Sequence, residues 1–140
     1  FRRGELGIYT PFCDIYDGAD ICMTSRCNAH IWCGGDVSYI NAMRMGVSSK
    51  NIGLALLSGS LDSYSIKRDY SKNSNDRGIF ILHPSPFSLM SGETKTFEWV
   101  IFEHSGDDDF IQKLNSLGIL TVSAEHFTVF EGENIKTLCC

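Results

Sequence analysis

Residues 75–104, NDRGIFILHPSPFSLMSGETKTFEWVIFEH, restrict the fold more than any other stretch, because two apolar segments flank a connection that a sheet interior cannot hold. Ile79, Phe80, Ile81 and Leu82 form an unbroken apolar run after Gly78, the pattern of a strand covered on both faces. Phe97, Trp99 and Ile101 alternate with Glu98, Val100 and Phe102, so the second segment also offers bulky groups to both faces and is expected to be a central strand. Between them Pro84 and Pro86 lack the N–H that a ladder needs, and Ser91-Gly92 supplies a turn. The expected result is two inner ribbons of a layered, mainly extended fold.

The rest of the chain fits that frame. With 140 residues, 43% of them hydrophobic, it can bury one core, and one domain is the default. Nine Phe, five Tyr and thirteen Gly, spread over short apolar runs between turn residues, favour strands over helices. The predicted class is a mostly β, antiparallel β-sandwich over residues 1–124, with residues 125–140 either beginning a following segment or adding a terminal strand.

In chain order, a strand is expected at 6–9, ended by Pro11, and a hairpin joins 19–24 to 28–32 around Ser25-Arg26. Gly34-Gly35 then breaks the chain, and residues 37–45 read as strand ahead of helix. A second hairpin joins 52–57 to 61–68 through Ser58-Gly59-Ser60, and 69–77 form an exposed loop. Phe110, Ile111, Leu114 and Leu117 share one helical face, which predicts a short helix near 107–117, capped by Asp107 or Ser105 and stopped by Gly118. Final strands at 119–123 and 127–130 turn at Glu131-Gly132.

Charge and cysteines narrow the partners and compartment. Twelve basic against 17 acidic residues give a net charge of −5 with no basic cluster, which argues against nucleic acid and against an anionic membrane surface. No run approaches the roughly 18 apolar residues of a membrane-spanning helix, and no secretory signal pattern opens the chain. A start at Phe1 and an end on Cys139-Cys140 read as a piece of a longer polypeptide. Cysteines at 13, 22, 27, 33, 139 and 140 match no structural zinc spacing, so no metal and no other cofactor is expected. Reduced, buried thiols are preferred to disulfides, which favours a cytoplasmic over a secreted setting.

No phosphate loop, dinucleotide fingerprint, metalloprotease helix or hydrolase elbow is present. Asp107, Asp108 and Asp109 suggest a cation site or catalytic acids, but three carboxylates at a helix start are more simply cap and dipole residues. His30-Ile31-Trp32 sets two flat, polar-tipped side chains on one face of a strand, and the glycine pair after Trp32 can clear space beside its ring. Such a ring suits the C–H patches of a sugar, with His30 and Asp36 as hydrogen-bonding neighbours; a core Trp beside a satisfied His is the plainer alternative. Asp76 and Arg77 stand at the mouth of the 79–82 strand, as a ligand loop or as an Asx turn with an ion pair. His30, Trp32, Asp36, Asp76 and Arg77 are therefore the candidate carbohydrate-binding residues, with an oligosaccharide as the expected ligand.

HIWCGGDVSYINAMRMG, LSGSLDSYSIKRD, NDRGIFILHP and MSGETKTFEWVIFEH together resemble the β-sandwich domain of bacterial six-hairpin glycosidase-type enzymes, a sandwich similar to the galactose mutarotase superfamily. The likeness covers residues 20–110 and is best at 89–102, where a Gly-Glu turn feeds an aromatic strand. It implies an accessory domain of a glycoside hydrolase, whose catalytic acids sit in a following helical barrel. No catalytic residue of that family falls on a position here. The domain would then be inactive alone and would pack against other domains of its parent chain, with the loops at 34–36 and 73–77 reaching toward a sugar. A structural or protein-interaction sandwich is the rival reading, and the exposure of Trp32 decides between them.

Overall fold

The computed structural model describes residues 1–14, 27–44, 50–67, 78–124, 126 and 128–139. Nine strands and one helix follow in order: β1 (Ile8–Asp14), β2 (Cys27–Gly34), β3 (Val37–Arg44), β4 (Asn51–Ser58), β5 (Leu61–Lys67), β6 (Gly78–Pro84), β7 (Glu98–His104), α1 (Asp107–Ser116), β8 (Val122–Ala124) and β9 (Thr137–Cys139). They form an antiparallel three-stranded sheet β1-β6-β5, an antiparallel four-stranded sheet β2-β3-β4-β7 and a small β8-β9 ribbon. The mostly β fold with one short helix is as the sequence predicts. No helix among the described residues is long and apolar enough to cross a membrane.

Two cores lie on opposite faces of the four-stranded sheet. Between the sheets, Phe12, Leu61, Phe80 and Leu82 pack on Ile40, Ala42, Leu54 and Leu56. Burying each of the larger of these side chains stabilises the fold by about 1.5–3 kcal/mol before the entropy of ordering is counted. On the far face, α1 seats Phe110 and Leu114 on Ala55, with Ile119, Tyr39, Val100 and Phe102 closing the contact. Gly53 makes room for this layer, since a Cβ there would overlap the Phe102 ring and lie 2.9 Å from Phe110 Cε2.

Several local expectations are corrected. β6 is the middle strand of its sheet, but β7 is an edge strand of the other, so the two do not fold onto each other. β7 carries large side chains on both faces because Trp99 packs toward the inter-sheet core and Val100 and Phe102 pack under α1. The predicted hairpin around Ser58-Gly59-Ser60 is instead a crossing, with β4 in one sheet and β5 in the other. Gly59 sits at φ +110, where L side chains are strained, and a Cβ there would lie 2.5 Å from the Phe97 ring.

Pro11 does not end the first strand; it lies within β1, where the register to β6 shifts between Tyr9 and Cys13. Such an irregularity is where a strand tolerates proline. Thr10 Oγ1 donates to the Phe80 carbonyl at 2.9 Å across that irregularity.

Helix α1 is N-capped by Gly106 with no side-chain cap, not by Asp107 or Ser105. Asp107 instead accepts a 2.7 Å bond from Asn41 Nδ2, while Asp109 accepts from the Ser105 N–H at 2.8 Å. Gly118 closes the helix at φ +76 as expected, with the Ile119 N–H on the Leu114 carbonyl. Residues 128–130 are not a strand, and β8 pairs with β9 around the turn at 131–132. The expectations placed on 15–26, 45–49 and 68–77, including the hairpin from 19–24 and the loop bearing Asp76 and Arg77, lie outside the described residues.

One turn recurs three times. In Arg2-Arg3-Gly4-Glu5, Met90-Ser91-Gly92-Glu93 and Phe130-Glu131-Gly132-Glu133, the glutamate carboxylate accepts the N–H of the first residue at 2.8, 2.8 and 3.1 Å. The glutamate N–H returns a bond to the first carbonyl at 3.2, 3.1 and 3.1 Å. The third-position glycine takes φ +78, +88 and +91. These turns satisfy their own backbone groups.

Candidate functional site

Strand β2 alternates half-buried and exposed residues along its whole length. Its inward set, Ala29, Ile31 and Cys33, packs on the inter-sheet core. Burial, and then the charge of Asp62, pushes the Cys33 thiol up to about 11, so it behaves as an apolar filler and not as a nucleophile. The outward set, Asn28, His30 and Trp32, continues the sheet face that α1 covers elsewhere. Register shows this directly: Trp32 pairs with Tyr39, Tyr39 with Ala55, and Ala55 with Val100. The helix covers the last three and leaves Trp32 in the open.

Trp32 is 55% exposed. Its indole lies against Gly34, where a Cβ would overlap Nε1 and sit 3.0 Å from Cε2, so the glycine gives the ring its resting place. Gly35, at φ +75, turns β2 into β3, as the first central position of a two-residue hairpin loop requires of glycine. Asp36 is exposed at that turn. Tyr39, half-buried beside Trp32, has its hydroxyl pKa raised by burial and its ring edge-on to Phe110 at 5.7 Å.

Trp32, His30, Ala29, Ile31 and Tyr39 line an open hollow of about 360 Å³, completed by Tyr64 of β5. A second hollow of about 400 Å³ shares Ala29, His30 and Tyr64 and continues past Asn28, Ile66 and Phe80. The two sheets meet along this seam and are tied at one end by paired bonds between Gly35 and Leu61, 2.8 and 3.0 Å. The His30 ring, the Trp32 indole N–H and the Tyr64 hydroxyl have no hydrogen-bond partner among the described residues.

Of the sequence candidates, the structure brings His30 and Trp32 together, sets Asp36 at the adjoining turn, and does not describe Asp76 or Arg77. Tyr64 and Tyr39 were missed, and the Ser63-Tyr64-Ser65-Ile66 alternation is the signal that could have marked Tyr64. The acidic run at 107–109 serves the helix: Asp107 holds Asn41, and the Ser105 N–H and then Lys113 keep the Asp109 carboxyl below its ordinary range. Asp62 is engaged by Arg3 and Glu103 by Lys50. Among the described residues no three His, Cys, Asp or Glu side chains group closely enough to hold a metal.

Fold and site together define an antiparallel two-sheet β protein with one helix-covered face and an exposed aromatic seam. The chain is similar to a solved structure described as a polysaccharide lyase, with 38% sequence identity, a TM-score of 0.83 and 97% of this chain covered. It spans only 21% of that protein's length. No protein-family model and no curated protein matches the chain.

Proposed function

We propose that this chain is a carbohydrate-active β-sandwich domain that contacts polysaccharide through the β2 face, with Trp32 as the stacking platform. The observation that carries the reading is the exposure of Trp32 in a hollow with Tyr39 and Tyr64. An indole face of this kind suits the C–H side of a sugar ring, while His30, Asp36 and the tyrosine hydroxyls can bond its hydroxyls. The likeness to a polysaccharide lyase supports the same class of ligand. Under this reading the chemistry of any longer parent shifts from glycoside hydrolysis toward lyase action, and the galactose mutarotase-like sandwich beside a helical catalytic domain remains its architecture. Asp76 and Arg77 stay proposed as further sugar contacts.

A packing role goes with the binding role. Ile101 and Ile52 point to the inter-sheet side yet are 58% and 40% exposed, because the three-stranded sheet does not reach the β7 edge. That uncovered apolar edge suits contact with another domain of a longer chain. Calorimetric titration with polygalacturonate, alginate, hyaluronate and xylan, beside a Trp32→Ala variant, tests the binding reading. Saturable binding of at least one polymer that the variant loses is expected. Silence from all four, or equal binding by the variant, would leave only the packing role.

A further inference from the structure

We propose that the seam between β2 and β5 takes several consecutive units of a linear glycan, laid along β2, instead of a single sugar or a chain end at Trp32. This rests on the binding role of Trp32 and adds the length and direction of its ligand. Two observations carry it. The hollow around Trp32 does not end there, because the second one shares Ala29, His30 and Tyr64 with it and runs on to Asn28 and Ile66. Trp32 and Asn28 lie four residues apart on one extended strand, about 13 Å at the usual rise, more than one sugar ring occupies.

The chemistry of the walls changes little along that length. Trp32 and Tyr64 are 55% and 48% exposed and come from different sheets, so they offer two separate rings to one chain. Tyr64 is braced edge-on by Phe80 at 6.5 Å, which holds its ring ready without closing its outer side. The polar tips of Asn28 and His30 rise from alternate positions of the same strand face, a spacing that can meet hydroxyls repeated along a chain. The Gly35–Leu61 tie bounds the seam at the Trp32 end, so added units extend toward Asn28 and Ile66.

The test is binding of di-, tetra- and hexasaccharides prepared from whichever polymer binds the intact chain, measured by calorimetry on wild type, Trp32→Ala and Tyr64→Ala, with thermal melts confirming that both variants fold. Affinity should rise with length, and Tyr64→Ala, at a residue that borders both hollows, should weaken the hexasaccharide by about tenfold and the disaccharide by clearly less. Trp32→Ala should weaken every length. Length-independent affinity, or a Tyr64→Ala variant that binds all lengths like wild type, would overturn the extended site while leaving a single-sugar site at Trp32 intact. Failure of every saccharide to bind would overturn the underlying sugar reading as well.

Discussion

The outer face of the four-stranded sheet has two halves that the same kind of residue treats in opposite ways. Over β3, β4 and β7, aromatic rings are consumed in packing: Phe102 stacks on Phe110 at 5.7 Å, Tyr39 meets Phe110 edge-on, and Gly53 is small so that both phenylalanines can settle. Over β2, Trp32 rests on Gly34 with its other side open. Helix α1 makes the difference, since its ten residues reach only part of the sheet's width. A glycine beside a ring serves a core in one half and an exposed platform in the other, so an aromatic-glycine pairing in sequence does not reveal its purpose.

The contrast can be broken first on the covered side. Leu114 is fully buried against Ala55, and Leu114→Ala should destabilise the fold by about 2–5 kcal/mol, read as a lower denaturant midpoint at unchanged slope. Gly53→Ala should cost about 1–3 kcal/mol, because its methyl group must displace the stacked Phe102 and Phe110 rings. On the open side Trp32→Ala should change stability by about 1 kcal/mol or less while removing glycan binding. A large loss of stability from Trp32→Ala would mean that the β2 half is core after all.

A smaller effect is read through pH. The Ser105 N–H, followed by Lys113, lowers the Asp109 carboxyl from its ordinary value of 3.8. A carboxyl depressed in the folded state adds stability that is fully present above its unfolded value and is lost as pH falls through the folded one. Wild type should therefore lose helix anchoring as pH drops below about 4, and Asp109→Asn should flatten that part of an acid melt. Smallest of all is the expected reactivity of Cys33, whose thiol, raised to about 11, should resist alkylation at neutral pH in the folded chain and react after denaturation.

Much of this was legible in sequence where the signal was local. Short apolar runs between turn residues placed β2 and β4, and the 37–45 pattern placed β3, each within a few residues of its limits, while i, i+4 spacing with Gly118 placed α1. What failed was pairing. β7 looked central because helix α1 supplies on one face the cover that another layer of strands would otherwise give, so two apolar faces cannot distinguish a middle strand from an edge strand under a helix. Ser58-Gly59-Ser60 looked like a hairpin loop because glycine suits both a turn back and a crossing, and its close neighbour, the Phe97 ring, arrives from nearly forty residues away. Asp107 lost its capping role to Asn41 of β3, a contact across 66 positions. The site was half visible for the same reason: His30, Trp32 and Asp36 are neighbours in sequence, whereas Tyr64 joins them only through the meeting of two sheets.

Trp32 is proposed to face a ligand, while its counterparts under α1 face the core. Intrinsic fluorescence of a Trp99→Phe variant, where Trp32 is the sole remaining tryptophan, reads that difference. Titration with the same four polysaccharides should give a saturable change in Trp32 emission for at least one of them. Emission from Trp32 that stays unchanged with all four, or that is already that of a fully buried indole in the free protein, would contradict the account.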